Sequence, residues 1–233
     1  MRILAVIPAR GGSKRLPGKN VRLLGDRPLI VWTIQSGLAL GAELCDVLVS
    51  TDDENIARIA AEAGAMVPWL RPPELATDTA SSVEVCLHAL EWYENTLNPV
   101  DALLLLQPTS PFRRVETLLS GISAFNNNPG ASVLGVSAVK KDTSLCFEVI
   151  EGQMVPFDDA NLSHLRSQDL SSAYALNGSF YLITVEALRR NLSFLKGELI
   201  PLITKDECES IDIDTNLDWL LAEAVISSRT PSS

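Results

Sequence analysis

Four short apolar runs punctuate the first half of the chain: "ILAVIPA" (3–9), "DVLVST" (46–51), "AMVPWL" (65–70) and "DALLLLQ" (101–107). Their apolar stretches do not alternate with polar residues, so each predicts a strand buried on both faces, the pattern of a parallel sheet. Segments of helical spacing lie between them. Residues 28–40 carry Leu29, Trp32, Thr33, Ser36 and Leu40 at helical intervals and end at Gly41. Asp53 opens "ENIARIAAEAG", which stops at Gly64 as a C-cap would. Ser81 or Ser82 starts a helix through Tyr93, with Glu84 in its first turn. A helix near 115–125 and the strand "ASVLGVSAV" continue the series. Repeated strand–helix units predict an α/β fold, a mostly parallel sheet with helices on both faces and right-handed crossovers. Ligands of such sheets gather at the carboxyl ends of the strands. The loops beginning at Pro8, Thr51, Arg71 and Gln107 are therefore the ones to inspect.

The pattern weakens from about 140 to 175, where "GQMVPFDDANLSHLRSQDLSSAYA" is polar and without a clean period. A hairpin excursion, a lid and an oligomerisation arm all fit it. Regularity returns with the strand "SFYLITV", a helix around 185–190, and "ESIDIDTNLDWLLAEAVIS", read as a short strand running into a terminal helix. The expectation is one domain over 1–233 with an excursion at about 140–175.

Composition narrows the function classes. A net charge of −10 argues against a nucleic-acid surface, which needs a broad basic face. Cys45, Cys86, Cys146 and Cys208 are far apart, with no CxxC pair and no histidine cluster, so thiols in a reducing cytoplasm are expected rather than disulfides or zinc. No apolar run approaches the roughly 20 residues of a membrane span.

Against that acidic background one segment stands out. "IPARGGSKRLPGKN" (7–20) opens directly from the first strand, and Arg10, Lys14, Arg15, Lys19 and Arg22 lie within thirteen positions with no acid among them. Gly11 and Gly12 allow close backbone approach and can turn N–H groups toward an anion. The loop is chemically a polyphosphate cradle. It is not a Walker A loop, because five residues rather than four separate Gly12 from Gly18-Lys19 and Asn20 follows, and it is not GxGxxG. Near the other end, "SIDIDT" places Asp212 and Asp214 two apart on the predicted strand and therefore on one face. Two carboxylates so placed repel unless a cation or water screens them, and with a nearby polyphosphate they suit Mg2+.

Taken together, "PARGGSKRLPGKN", "STDDENIARIA", "LRPPELATDTASS", "LLQPTSPFR", "NGSFY" and "SIDIDT" fall in the order found in the CMP-sialate synthetases, the acylneuraminate cytidylyltransferases, which the chain resembles over nearly its whole length. The resemblance implies a Rossmann-like nucleotidyltransferase fold, CTP as donor, a 2-keto sugar acid as acceptor, Mg2+ as metal and a homodimer, which the cysteine usage places in the cytoplasm. It implies that Arg10 holds the triphosphate, that Ser13 and Lys14 share its loop with Gly11 and Gly12, that Lys19 neutralises the α-phosphate and the departing pyrophosphate, and that Asn20 orients the nucleotide. Arg71, Ala80 and Ser82 resemble the cytosine and ribose contacts. Gln107 resembles the glutamine that binds the acceptor sugar, and Lys140, Lys141, Arg166, Tyr174 and Asn177 fall where further acceptor contacts lie. Asp212 and Asp214 resemble the metal-binding aspartates, with Arg10, Lys19 and Asp212 expected to carry the catalysis. The family commonly has an arginine two residues before its Asn-Gly; here the sequence reads "YALNG", with Ala175 in that place. A 3-deoxy-manno-octulosonate acceptor and a catalytically silent nucleotide-binding relative both stay open as alternatives.

Overall fold

The computed structural model describes residues 1–139, 146–156 and 173–229. From the N-terminus, β1 (Ile3–Pro8) leads into a basic loop, a 3-10 turn at Lys19–Val21 and a small hairpin of β2 (Leu23–Leu24) and β3 (Arg27–Pro28). There follow α1 (Leu29–Leu38), β4 (Cys45–Ser50), α2 (Glu54–Glu62), α3 (Ser82–Thr96), β5 (Ala102–Leu105), α4 (Val115–Asn127) and β6 (Ser132–Ala138). A second hairpin, β7 (Phe147–Ile150) and β8 (Gln153–Pro156), precedes β9 (Tyr174–Thr184), α5 (Val185–Asn191), β10 (Leu199–Ile203) and α6 (Asn216–Arg229).

Six strands form the central sheet, in the order β10-β6-β9-β5-β1-β4. β1 pairs in parallel with β4 on one side and β5 on the other, and β10 runs parallel to β6. β9 alone is antiparallel, wedged between β5 and β6. The non-alternating composition of β1 has a direct cause in packing. Ile3, Ala5 and Ile7 face a core closed by Ile30 and Ile34 of α1, Ile56 of α2 and Ile122 of α4. Leu4 and Val6 face the opposite core, under Cys86, Leu90 and Tyr93 of α3 and Leu188 of α5. Residues 3–7 all have zero exposure, so a polar residue at any of them would be buried without a partner.

The helix starts follow the expected chemistry. Asp53 Oδ1 accepts from the Ile56 N–H at 2.9 Å and caps α2. Ser81 and Glu84 form a reciprocal capping box on α3, so of the two serines Ser81 is the cap and Ser82 the first helical residue.

Three local expectations are corrected. "AMVPWL" is not a strand; it touches the β4 edge only through isolated bridges, Leu48 with Met66 and Thr51 with Leu70. Pro68 has no N–H to continue a ladder there. The strand expected in "ESIDIDT" is also absent: Glu207–Ser210 is a 3-10 turn, and residues 211–214 run on without a strand partner. Ile213 N–H reaches only the Thr109 carbonyl, at 2.8 Å. Conversely, β10 was missed because Pro201 interrupts it, which is tolerated at a sheet edge. Within the irregular excursion, the described residues are 146–156, which carry the β7–β8 hairpin, and 173–175, where β9 begins.

A third, smaller core lies below the sheet's carboxyl edge. Leu16, Leu24, Leu29, Phe112, Ile213, Trp219 and Ala222 pack together there, and the Arg22 guanidinium lies 4.2 Å over the Trp219 ring. This cluster joins the basic loop to the segment that precedes α6.

α4 meets the sheet with almost no clearance at Gly121. A Cβ there would lie 2.6 Å from Cζ of Phe180 and 2.8 Å from Cδ2 of Leu202. Gly121→Ala gains about 1 kcal/mol of helix propensity and incurs about 1–3 kcal/mol of overpacking. We therefore expect a net loss of stability, read as a lower urea midpoint with unchanged slope.

Candidate active site

At the carboxyl ends of β1, β4 and β5 the loops enclose two adjoining cavities of about 430 and 340 Å³ that share Pro8, Arg10, Pro108, Thr109 and Asp214. The first is walled by Ser13, Lys14, Arg15, Lys19 and Asn20; the second by Arg71, Ala80, Ser82, Gln107 and Asp212. The basic loop and the acidic pair thus open on one continuous cleft.

The loop's shape is set at its ends. Gly18 takes a left-handed conformation (φ 66°) that starts the 3-10 turn and directs Lys19 inward. The Lys19 side chain is only 10 % exposed; its Nζ donates to the Ile213 carbonyl at 2.7 Å and to Asp214 Oδ1 at 2.8 Å. The Asn20 amide donates to the Arg10 carbonyl at 3.0 Å, fastening one end of the loop to the other. Gly11 is required by a neighbour in the chain itself: its N–H reaches Asp52 Oδ1 at 2.9 Å, and a Cβ would come within 2.8 Å of Asp53 Oδ2. A Cβ on Gly12 would meet nothing within 4 Å. Arg10 and Lys14 both reach Asp78, at 2.7 and 2.5 Å.

Arg71 is buried. Its Nε donates to Ser50 Oγ at 3.0 Å, Nη2 to the Ser50 carbonyl and Nη1 to the Leu75 carbonyl at 3.4 Å. Desolvation lowers its pKa from the ordinary value, an effect opposed chiefly by the charge of Asp52. It braces the wall that carries Ala80 and Ser82.

Asp212 and Asp214 share the cleft without sharing a strand. Partial burial raises the Asp212 carboxyl above the usual range; a hydrogen bond from Thr109 opposes this, and the charge of Asp214 adds to it. Asp218 Oδ2 accepts from the Asp214 N–H at 3.0 Å and the Thr215 N–H at 2.7 Å, bending the acidic segment into α6. The cation that the two carboxylates require is supplied, at Asp214, by Lys19.

A cytidylyltransferase family profile matches residues 4–203. The CMP-N,N'-diacetyllegionaminic acid synthase of Legionella pneumophila is 42% identical over 231 residues, covering 97% of each chain. The chain belongs to the cytidylyltransferase family. The N-acylneuraminate cytidylyltransferase of Escherichia coli O18:K1:H7 is 33% identical over 95% of this cytidylyltransferase but 51% of its own length. The pseudaminic acid cytidylyltransferase of Campylobacter jejuni is 33% identical over 80% of each chain. Among solved structures, CMP:2-keto-3-deoxy-manno-octonic acid synthetase complexed with CTP superposes with a TM-score of 0.69 at 17% identity, covering 99% of this chain and 100% of that one. At that identity it supports the Rossmann-like fold alone.

The residues expected around an acceptor are distributed unevenly in this cytidylyltransferase. Gln107 lines the cleft, and Gly178 (φ 73°) leaves room for it, since a Cβ would lie 2.6 Å from Gln107 Oε1. Asn177 is buried away from the two cavities. Its amide nitrogen donates to Ser137 Oγ at 2.9 Å, and its oxygen accepts from the Ser179 N–H and hydroxyl at 3.1 and 2.6 Å, so it ties β9 to β6. Tyr174 stands 46 % exposed at the start of β9 and lines neither cavity. Lys140, Lys141 and Arg166 lie outside the described residues.

Two polar residues escaped the sequence reading. Arg113 is buried behind the cleft and donates to the carbonyls of Gln107, Ser110 and Ser179 at 2.5, 2.5 and 2.6 Å and to the Thr33 hydroxyl at 2.9 Å. Desolvation brings its pKa down to about 9, so it stays charged at neutral pH, helped by the charges of Asp212 and Glu209. It holds the 107–110 loop against β9. Nothing in the spacing of "LLQPTSPFR" marks its last residue as buried. The second residue is Glu209, 2 % exposed, whose Oε1 accepts both the Arg114 N–H at 3.1 Å and the Thr117 hydroxyl at 3.0 Å. It anchors the acidic segment to the start of α4.

Burial raises the Glu209 carboxyl above its ordinary 4.5, despite those two hydrogen bonds. A carboxyl raised by folding binds its proton more readily in the native state, so its contribution is most favourable below about pH 4.5 and is lost as pH climbs through the native value. Glu209→Gln keeps an acceptor oxygen for both donors and never ionises. Relative to the unmodified protein, its melting temperature is expected to rise as pH is taken from 4.5 to 7.5; a constant difference across that window contradicts the assignment.

Proposed function

We propose that this cytidylyltransferase transfers CMP from CTP to the anomeric hydroxyl of a nonulosonic acid, releasing pyrophosphate, with N,N'-diacetyllegionaminic acid the first acceptor to try. The observation that carries the reading is the meeting of Lys19 with Asp214 in a cleft that the basic loop also walls. The end-to-end likeness to the Legionella pneumophila legionaminic acid synthase supports the acceptor class.

In this reading the triphosphate lies along Arg10, Ser13 and Lys14, with Gly11 and Gly12 at the mouth. Lys19 offsets charge at the α-phosphate and on the departing pyrophosphate. The cytosine and ribose rest on the wall formed by Ala80 and Ser82 and braced by Arg71, and Asn20 acts by holding the Arg10 backbone in place. Gln107 positions the acceptor. Such a transfer is largely a matter of alignment and charge neutralisation. Asp212 and Asp214 offer hard oxygen donors of the kind that suit a cation keeping waters and substrate oxygens among its ligands. The donor set fits Mg2+, which when bound would neutralise phosphate oxygens and lower the pKa of a nearby hydroxyl.

The reading extends to a cytoplasmic homodimer. No described helix is long and apolar enough to cross a membrane, and the β7–β8 hairpin presents Phe147, Val149, Ile150, Met154 and Val155 to solvent.

The direct test is pyrophosphate release with CTP, Mg2+ and a panel of legionaminic, pseudaminic, sialic and 3-deoxy-manno-octulosonic acids. Turnover with a nonulosonate is expected, and release with none of the panel contradicts the proposal. Lys19→Ala is expected to lower kcat/KM by about 10²–10³, the usual loss for one donor aimed at developing charge. Full turnover in that variant removes Lys19 from the mechanism.

A further inference from the structure

Asp78 belongs to no part of the reaction described above, yet it holds two of the cleft's cations. Its Oδ1 accepts from Arg10 Nη1 at 2.7 Å and its Oδ2 from Lys14 Nζ at 2.5 Å. Arg10 Nη1 also reaches the neighbouring Thr77 carbonyl at 3.4 Å. Asp78 lines the second cavity and also the adjoining hollow beside Gly12, Ser13 and Lys14. All three side chains are substantially exposed, 35 % for Arg10, 74 % for Lys14 and 48 % for Asp78, so the pair of bridges adds little to stability. A carboxylate bridging two solvent-facing cations, each oxygen on one cation, reproduces the contacts that two phosphate oxygens would make.

We infer that Asp78 is an internal competitor for the pyrophosphate moiety of the nucleotide: it occupies Arg10 and Lys14 until a di- or triphosphate displaces it, and it reclaims them as pyrophosphate leaves. The inference rests on the assignment of Arg10 and Lys14 to the triphosphate. The competition falls on the β- and γ-phosphates. A lone α-phosphate, assigned to Lys19, does not contend with Asp78. The carboxylate therefore weakens binding of CTP and pyrophosphate without weakening binding of CMP. The turn that carries Asp78 is held from within, Thr77 Oγ1 accepting the Ala80 N–H at 3.1 Å, so exchange of the carboxylate for phosphate leaves the nucleoside wall in place.

The test is calorimetric titration of the full chain with CTP, inorganic pyrophosphate and CMP, in EDTA so that metal held by the aspartates does not enter. Asp78→Asn is expected to bind CTP and pyrophosphate about three- to tenfold more tightly, the combined worth of two exposed ion pairs, while CMP stays within about twofold. Asp78→Ala should move in the same direction. If CMP tightens as much as pyrophosphate, the effect is general electrostatics and the proposal fails. If pyrophosphate affinity is unchanged or weaker in both Asp78 variants while Arg10→Ala weakens it, the competitor role fails and the phosphate assignment survives. If Arg10→Ala and Lys14→Ala both leave CTP and pyrophosphate affinity unchanged, the assignment itself fails and the proposal falls with it.

Discussion

Ile213 is the contact on which the cleft depends. With no exposed surface, it is locked among Leu16, Leu24, Phe112 and Trp219, while its N–H is held by the Thr109 carbonyl. A side chain so placed has no second position at comparable energy, since deleting it would open a cavity costing about 2–5 kcal/mol. The consequence is geometric. The residues on either side, Asp212 and Asp214, are carried to the carboxyl edge of the sheet, and the carbonyl of Ile213 is set where Lys19 Nζ can reach it. Segments almost two hundred residues apart in sequence thereby share one cleft.

The chain economises on charge within that cleft. Its net charge is −10, and five cations in and behind the cleft are given partners. Lys19 is held by Asp214, and Arg10 and Lys14 by Asp78. Arg113 and Arg71 spend their donors on carbonyls and hydroxyls of the loops they brace. The last two are buried and act through shape. Of the first three, Arg10 and Lys14 are exposed at the cleft surface, and Lys19 lines the cleft from a largely buried position.

The α/β architecture was legible in the sequence because a strand buried on both faces is apolar along its length; β1 and β5 are, and β4 departs from it only at Asp46 and Ser50. The helix caps at Asp53 and Ser81 were legible because they are local hydrogen-bond chemistry. What escaped was set by tertiary contact. The "IDID" alternation mimics a strand, but Ile213 is buried by a side-chain cluster and no sheet neighbour is present. Pro68 and Pro201 sit in equally apolar surroundings, and only the sheet edge decides that the second lies in a strand. The convergence of the basic loop with the aspartates followed from a family resemblance and the requirement of two carboxylates for a cation. That the cation at Asp214 is Lys19 had no signal in spacing. Neither did Arg113, whose partners come from three separate stretches of chain, nor the inward turn of Asn177.

The most direct measurement is a crystal structure with Mg2+ and a non-hydrolysable CTP analogue. The account predicts phosphate oxygens within about 3 Å of both Lys19 Nζ and the Arg10 guanidinium, with the metal on the Asp212 and Asp214 carboxylates. A nucleotide bound with its phosphates away from Lys19, or a metal held by other residues, contradicts it.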